Sequence, residues 1–550
     1  MMRLRMAQEP AEQRNQGSLG VPGAESLADV RAPRRGPVYG SRFAAAADHP
    51  LVTQVAMDVM RRGGNAADAA IAAAAANVVT KPHRTHLGGD AFCLVWRKRE
   101  GTIDCLNAGG LAPLAATPER FPQGVPTHGP LASSVPGLVD AMLEVYKTYA
   151  TRPLGSLLAP AIALAEEGFP VSERLAGALS VVPSFRDAWS GPLRDVFLED
   201  GAPLAEGERL RQPDLAATLR RLAEDEREGF YEGETAERIV KAMSEMGGII
   251  AREDLLRETA VWADPLRTAY RGCDVYEQAP PSQGFIVLET LNILEEFPLA
   301  AWGPGSADAI HVMVEATKLA FADSRRYLAD PLIEAVPVEA LLSKEHARRR
   351  AAEIDPKSAR RPAAASLPGD TTEFVVADED MAIAFIQSIF APWGSRVLVP
   401  GTGIVMNNRL SGFETRAGAA NRIAPGKRTV HTLNTFMALR DGRLVCGGGT
   451  PGGDFQVQSN VQTLVAVLDW GLDLQSAVDM PRWVLVGDTL ALEGRFPPSV
   501  FEDLERRGHA LRRLAEWDGN IARSQLVAQA PGGGWAAASD LRGEGLALGW

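Results

Sequence analysis

The sequence predicts a mixed α and β protein whose chemistry sits where helix gives way to sheet. Three observations predict it. Apolar residues recur at helical spacing through the first two thirds of the 550-residue chain. A Pro/Ala/Arg-rich break then runs over residues 356–368. Beyond the break the apolar period becomes two, as in a strand with one buried face.

The elements follow in order. Residues 1–38 are rich in Gly, Pro, Gln, Glu and Arg without periodicity, and read as disordered. Leu51, Val55 and Val59 mark a first helix, stopped by Gly63-Gly64. Asn65 is a good N-cap for a second helix over 66–79. Alanine on most faces of that helix means that neighbours pack tightly around it. The region from about 130 to 350 reads as largely helical, with helices over 138–149, 157–167, 214–224, 234–246 and 307–327. The break ends in Gly369-Asp370-Thr371-Thr372, and a sheet starts there. Residues 373–377 and 382–388 flank Asp378-Glu379-Asp380-Met381 as a β-hairpin. Strand-like pieces follow at 396–399, 403–406, 435–439 and 444–446, and a helix over 456–469.

Bulk properties narrow the function. Hydrophobic residues make up 46% and charged residues 23%, close to the soluble globular average. The net charge of −12 is spread along the chain and argues against nucleic acid or an anionic membrane as partner. A small anionic substrate stays open, because a pocket can differ in sign from the surface around it. The four cysteines are scattered, without a CxxC pair or a histidine at ligand spacing, so they read as free and reduced. No metal and no cofactor is expected. No segment reads as a signal h-region or reaches the roughly 18 apolar residues of a membrane span. The expectation is a soluble cytoplasmic protein acting on a small molecule.

Thr371 is the first candidate for chemistry. If the peptide bond before it were cut, one residue would carry both a hydroxyl nucleophile and a free α-amine as its base. An α-amine titrates at about 7.7 to 8, near working pH, where a general base is most effective. With Glu379-Asp380 as a two-residue turn, Asp378 pairs with Met381, and Ser388 falls opposite Thr371. Opposed side chains lie on one face with Cβ atoms about 4.5–5.5 Å apart. Ser388 could then hydrogen-bond the Thr371 amine or hydroxyl. The run Gly447-Gly448-Gly449-Thr450-Pro451-Gly452-Gly453 lets backbone N–H groups approach a ligand. It suits an oxyanion hole, a phosphate site or a tight turn, but is not a P-loop.

These residues sit within a wider pattern. The stretches HPLVTQVAMDVMRRGGNAADAAIAAAAANVV from His49, HLGGDAFCLVW from His86 and LLAPAIALAEEGFPVS from Leu157 resemble the γ-glutamyltranspeptidase family. So do APPSQGFIVLETLNILE from Ala279, GDTTEFVVADED from Gly369, GSRVLVPGTGIVMNN from Gly394 and GTPGGDFQVQSNVQTL from Gly449. They appear in family order from about residue 40 to the C-terminus. The resemblance implies an α+β, four-layer αββα N-terminal nucleophile hydrolase sandwich. It implies one precursor cut between Asp370 and Thr371, giving a large subunit (39–370 after the disordered 1–38) and a small one (371–550). Carried over by motif, Thr371 matches the nucleophile, Ser388 a supporting hydroxyl, and Gly452 and Gly453 the oxyanion-hole glycines.

The same resemblance marks departures. The family's glutamate-binding arginine matches Gly109, and an asparagine two residues after the supporting hydroxyl matches Phe390. The acidic pair after NN is Ser411-Gly412, and a carboxylate-binding Ser-Ser pair matches His431-Thr432. Charged partners for a glutamyl head are thus lost on both sides. Arg396, Arg409, His431, Arg84 and His86 lie near the motifs and offer other anchors for a carboxylate. The reading is an amide hydrolase acting on a small carboxylate-bearing or acyl amide, oxamate-like or acylase-type. A γ-glutamyl hydrolase or transpeptidase with a reorganised head-group site is the alternative. A non-catalytic relative is disfavoured by the survival of Thr371, Thr372, Ser388, Gly452 and Gly453.

Overall fold

A computed structural model of the chain describes residues 35–257, 260–360 and 369–550. Most of the segment expected to be disordered, and the latter part of the 356–368 break, lie outside the described residues. Val38, at the end of the first of these, already belongs to a strand.

The strands of the two main sheets are, in chain order, β1 (Val38–Gly40), β2 (Ala44–Ala47), β3 (Asp90–Arg97), β4 (Thr102–Ala108), β5 (Val261–Ala263), β6 (Leu266–Tyr270) and β7 (Cys273–Glu277). They continue with β8 (Thr372–Ala377), β9 (Met381–Ser388), β10 (Thr435–Arg440), β11 (Arg443–Gly449), β12 (Gln525–Gln529), β13 (Trp535–Ser539) and β14 (Leu546–Gly549). One seven-stranded sheet has the order β14-β2-β8-β9-β3-β4-β5, and the other β1-β13-β12-β11-β10-β7-β6.

Three cores define the layers. Leu94, Trp96, Val375 and Ala384 of the first sheet meet Met437, Val527 and Ala537 of the second. On the outer face of the first sheet, Phe374, Val376, Ile383 and Phe385 pack against α1 (Pro50–Arg61) and α2 (Ala66–Thr80). On the outer face of the second, Phe436, Ala438 and Leu526 pack against α3 (Gly284–Leu294), α4 (Ala307–Tyr327) and α5 (Phe455–Leu468). The order is helix, sheet, sheet, helix. Alternation along β8 explains how one strand serves two cores: Phe374 and Val376 point to the helices, Val375 to the other sheet.

Local sequence accounts for the helices around the first sheet. Asn65 caps α2 through Asp68 N, and the Asp68 carboxylate accepts from Asn65 N in return, a capping box. Every residue of α2 is buried, as its alanine content requires. The hairpin β8–β9 sits in the middle of its sheet, flanked by β2 and β3. In the region read as largely helical, β6 and β7 form a hairpin at the edge of the second sheet. No helix among the described residues is long and apolar enough to cross a membrane.

Candidate active site

The hairpin register places the central pair. Thr372 pairs with Gln387 and Ala377 with Ala382, and Asp378 N donates to Met381 O at 2.8 Å across the turn. Continued by one residue, this register sets Thr371 beside Ser388, the last residue of β9. Both are buried. Thr372 Oγ1 faces α2, 3.3 Å from Asn77 Oδ1, so Thr371 faces the second sheet. There, Gln456 Nε2 on the first turn of α5 donates to Thr371 Oγ1 at 3.4 Å.

Ser388 makes a different bond from the one expected. Its Oγ donates to the carbonyl oxygen of Asp370 at 2.6 Å and accepts from Phe390 N at 2.7 Å. The partner is thus the carbonyl of the Asp370–Thr371 peptide, not the threonine itself. Asp370 N in turn donates to Phe390 O at 2.6 Å. A hydroxyl on this carbonyl draws electron density from its carbon, beside the Thr371 hydroxyl. Gly452 and Gly453 have φ of 130° and 58°, conformations that favour glycine. The Gly453 backbone lies against Gly369: a Cβ built on Gly369 would come 3.1 Å from Gly453 Cα. The glycine run therefore closes over the same junction.

The Asp370 side chain is held by two buried arginines. Arg84 Nε lies 3.2 Å from Oδ2, and Arg523 Nη2 donates to Oδ1 at 3.0 Å. Thr371 N donates to that same Oδ1 at 3.0 Å. Behind them, Arg84 Nη1 is 3.1 Å from Asp48 Oδ2 and Arg523 Nε 3.6 Å from it. Burial alone would raise the Asp48 carboxyl, but Lys81, Arg523 and Arg84 together hold it below the usual carboxylate range. Of the charged residues around Asp370 only Arg84 was a candidate from sequence. Asp48 and Arg523 carry no motif of their own and come together only through β2 and the approach to β12.

The family model described as gamma-glutamyltranspeptidase matches residues 52–550. The chain belongs to the γ-glutamyltranspeptidase family. A glutathione hydrolase-like YwrD proenzyme of Bacillus subtilis is 34% identical over 534 residues, covering 93% of this chain and 99% of that protein. An oxamate amidohydrolase proenzyme of Klebsiella pneumoniae is 36% identical, covering 92% and 98%. The crystal structure of a cephalosporin acylase from Bacillus halodurans superimposes with a TM-score of 0.90 at 36% identity, covering 94% and 98%. These proenzyme and acylase relatives make this γ-glutamyltranspeptidase-family chain an autoprocessed hydrolase, one precursor processed into subunits.

The head-group positions of this family member converge only in part. Asp90, which lies opposite Ser388 on β3, is buried and accepts from Gly110 N at 2.8 Å, Arg409 Nε at 2.9 Å and His431 Nε2 at 3.2 Å. The Arg409 guanidinium lies 4.3 Å from the centre of the Phe390 ring, and the His431 ring 4.5 Å from that of Phe92. His431 Nδ1 accepts from Leu433 N, so the ring is neutral with its proton on Nε2. Burial first, and the Arg409 charge second, lower its pKa to about 4. Gly109 borders this group: a Cβ there would come 3.1 Å from His431 Cδ2. Arg409 Nη2 is buried without a hydrogen-bond partner among the described residues.

Other candidates lie elsewhere. Arg396 stands over the Phe185 ring at 4.2 Å and reaches Asp187 at 3.9 Å, rather than Asp90. Gly412 O accepts from Asn421 Nδ2, and Thr432 O from Asn434 Nδ2. His86 Nδ1 accepts from Val405 N, a bond within the fold. Among the described residues two groups have metal-ligand spacing, the buried His311/Glu315/His509 and Glu289/Asp323/His346, in which His346 is half-buried, and neither includes a residue of the Thr371 cluster. In the first, His311 already spends Nδ1 on His509 and Nε2 on Asp355 O, each at 2.8 Å. The four cysteines are buried and free.

Proposed function

We propose that Thr371 is the nucleophile of an amide hydrolase whose substrates lack an amino acid head. In the precursor, Thr371 Oγ attacks the Asp370 carbonyl carbon. The C–N bond breaks as the nitrogen takes a proton, and water then hydrolyses the ester. Asp370 leaves as a carboxylate and Thr371 gains a free α-amine. In turnover that amine takes the hydroxyl proton while Oγ attacks a substrate amide. The departing amine collects the proton, and water releases the acid from Thr371. Ser388 Oγ, 2.6 Å from the Asp370 carbonyl oxygen, supports both rounds by donating to the oxygen that gains charge.

The observation that carries the specificity is the closed Asp90–Arg409–His431 group beside Phe390 and Gly109. A free amino acid head needs an anion for its ammonium and a cation for its carboxylate. Here the only acid of the group accepts from both Arg409 and His431. Phe390 adds an apolar face where a polar side chain would hold the head. Arg409 Nη2 keeps its N–H groups for a carbonyl or carboxylate oxygen. A small carboxylate-bearing or acyl amide fits this better than a γ-glutamyl compound. Relatives named oxamate amidohydrolase and cephalosporin acylase point the same way.

The test compares kcat/KM for a γ-glutamyl anilide, glutathione, oxamate and glutaryl amides. The acyl amides are expected to win by about tenfold or more, since each lost charge-assisted hydrogen bond costs the head group about 1.5–3 kcal/mol. A wide margin in favour of γ-glutamyl compounds would overturn the assignment.

A further inference from the structure

The Asp370 clamp has a role left over once the chain is cut. In the uncut chain two guanidiniums, Arg84 and Arg523, converge on the Asp370 carboxylate, with Asp48 behind them. Lys81, a third cation of this group, pairs with Glu544. With Asp370 in place Arg84, Arg523 and Lys81 stand against Asp48, Asp370 and Glu544, and the Arg174 charge also acts on Asp48 and Arg523. Cleavage removes the covalent tie that holds Asp370 there. If its carboxylate departs, the buried group is left one negative charge short, beside a new α-amine on Thr371. A buried cation without a counter-ion is costly, so the clamp favours another carboxylate. The Asp370 side chain keeps 17% exposure, so solvent reaches the clamp from that end.

The contrast with Arg409 is one of charge. Arg409 is already neutralised by Asp90 at 2.9 Å, and offers a carboxylate the two N–H groups of Nη2 and no net charge. The clamp offers two guanidiniums and a net positive charge.

Asp370 also measures the spacing. It is the acyl donor of the first reaction, and two carbons, Cα and Cβ, separate its reacting carbonyl from its acid carbon. A substrate whose carbonyl takes the place of the Asp370 carbonyl, within reach of Ser388 Oγ, meets the clamp if its own acid group stands at the same distance. We propose that Arg84 and Arg523 are the carboxylate subsite of the processed enzyme. Its substrates are then monoamides of dicarboxylic acids with succinamate spacing. This rests on the assignment of Thr371 as nucleophile.

The experiment measures kcat/KM for oxamate, malonamate, succinamate and glutaramate, with the uncharged diamide succinamide as control. The rate constant should peak at succinamate, and succinate should compete where succinamide does not. In Arg84→Ala and Arg523→Ala, the succinamate-to-succinamide ratio should fall about 10- to 100-fold, the scale of a lost charge-assisted hydrogen bond. Should either variant fail to cut itself, the wild-type series and the succinate competition decide alone. Equal use of succinamate and succinamide by a cut, active enzyme overturns the subsite and leaves the nucleophile standing. An uncut enzyme that hydrolyses these amides fully would overturn the nucleophile instead.

Discussion

The Ser388 hydroxyl donates a 2.6 Å hydrogen bond to the carbonyl oxygen of Asp370, the carbonyl that Thr371 attacks in the proposed self-cleavage. The bond exists before any charge develops on that oxygen and strengthens as it does. Ser388→Ala should therefore slow self-cleavage by about 100- to 1000-fold, the scale of a single lost oxyanion donor. A time course of fragment formation by denaturing gel reads this directly. Cleavage at the wild-type rate would mean that Ser388 is only a strand-end residue.

Arg409 and Asp90 form a buried pair, side chains 1% and 0% exposed. Burial raises the Asp90 carboxyl, and the His431 hydrogen bond and the Arg409 charge more than reverse this. Removing one partner leaves an uncompensated charge. Arg409→Leu should cost about 3–5 kcal/mol of stability, and Asp90→Asn in the same chain should restore part of it. Denaturant titration of the two variants gives both numbers. A single variant as stable as wild type would contradict the pairing.

Glu373 lies on the face of β8 that Thr371 shares and is fully buried. Burial, then the Asp48 charge, push its pKa well above the usual range, so it is a neutral acid in the fold. The unfolded chain ionises it near pH 4.3. Its stabilising share is whole below that pH and is lost as pH rises towards the raised folded value, by about 1.4 kcal/mol per unit. Glu373→Gln removes this loss. The Tm of the variant relative to wild type should climb from pH 4 to pH 8, and a constant difference would contradict a neutral Glu373.

Much of this was readable in the chain. The turn Glu379-Asp380 fixed the register, and with it the Thr371–Ser388 juxtaposition, because strand pairing counts residues one for one. Asn65 and the alanine run located α2, since capping and all-round burial are local properties. The β6–β7 hairpin was missed: Leu266 to Tyr270 alternates only weakly, being an edge strand beside Arg271-Gly272. Arg523 was invisible for another reason. It lies 153 positions from Asp370, and nothing local marks an arginine that finds its partner through tertiary structure. Register sets Ser388 beside Thr371 but leaves the acceptor of its hydroxyl open, because strand pairing sets neighbours and not the direction of a hydroxyl.

Self-cleavage is the most direct test of the whole account. Intact-mass spectrometry of the purified protein should find two chains meeting at Asp370/Thr371, the smaller beginning with Thr371. Thr371→Ala should remain a single chain and lose amide hydrolysis. A wild-type protein that is fully active as one uncut 550-residue chain would contradict the assignment of Thr371.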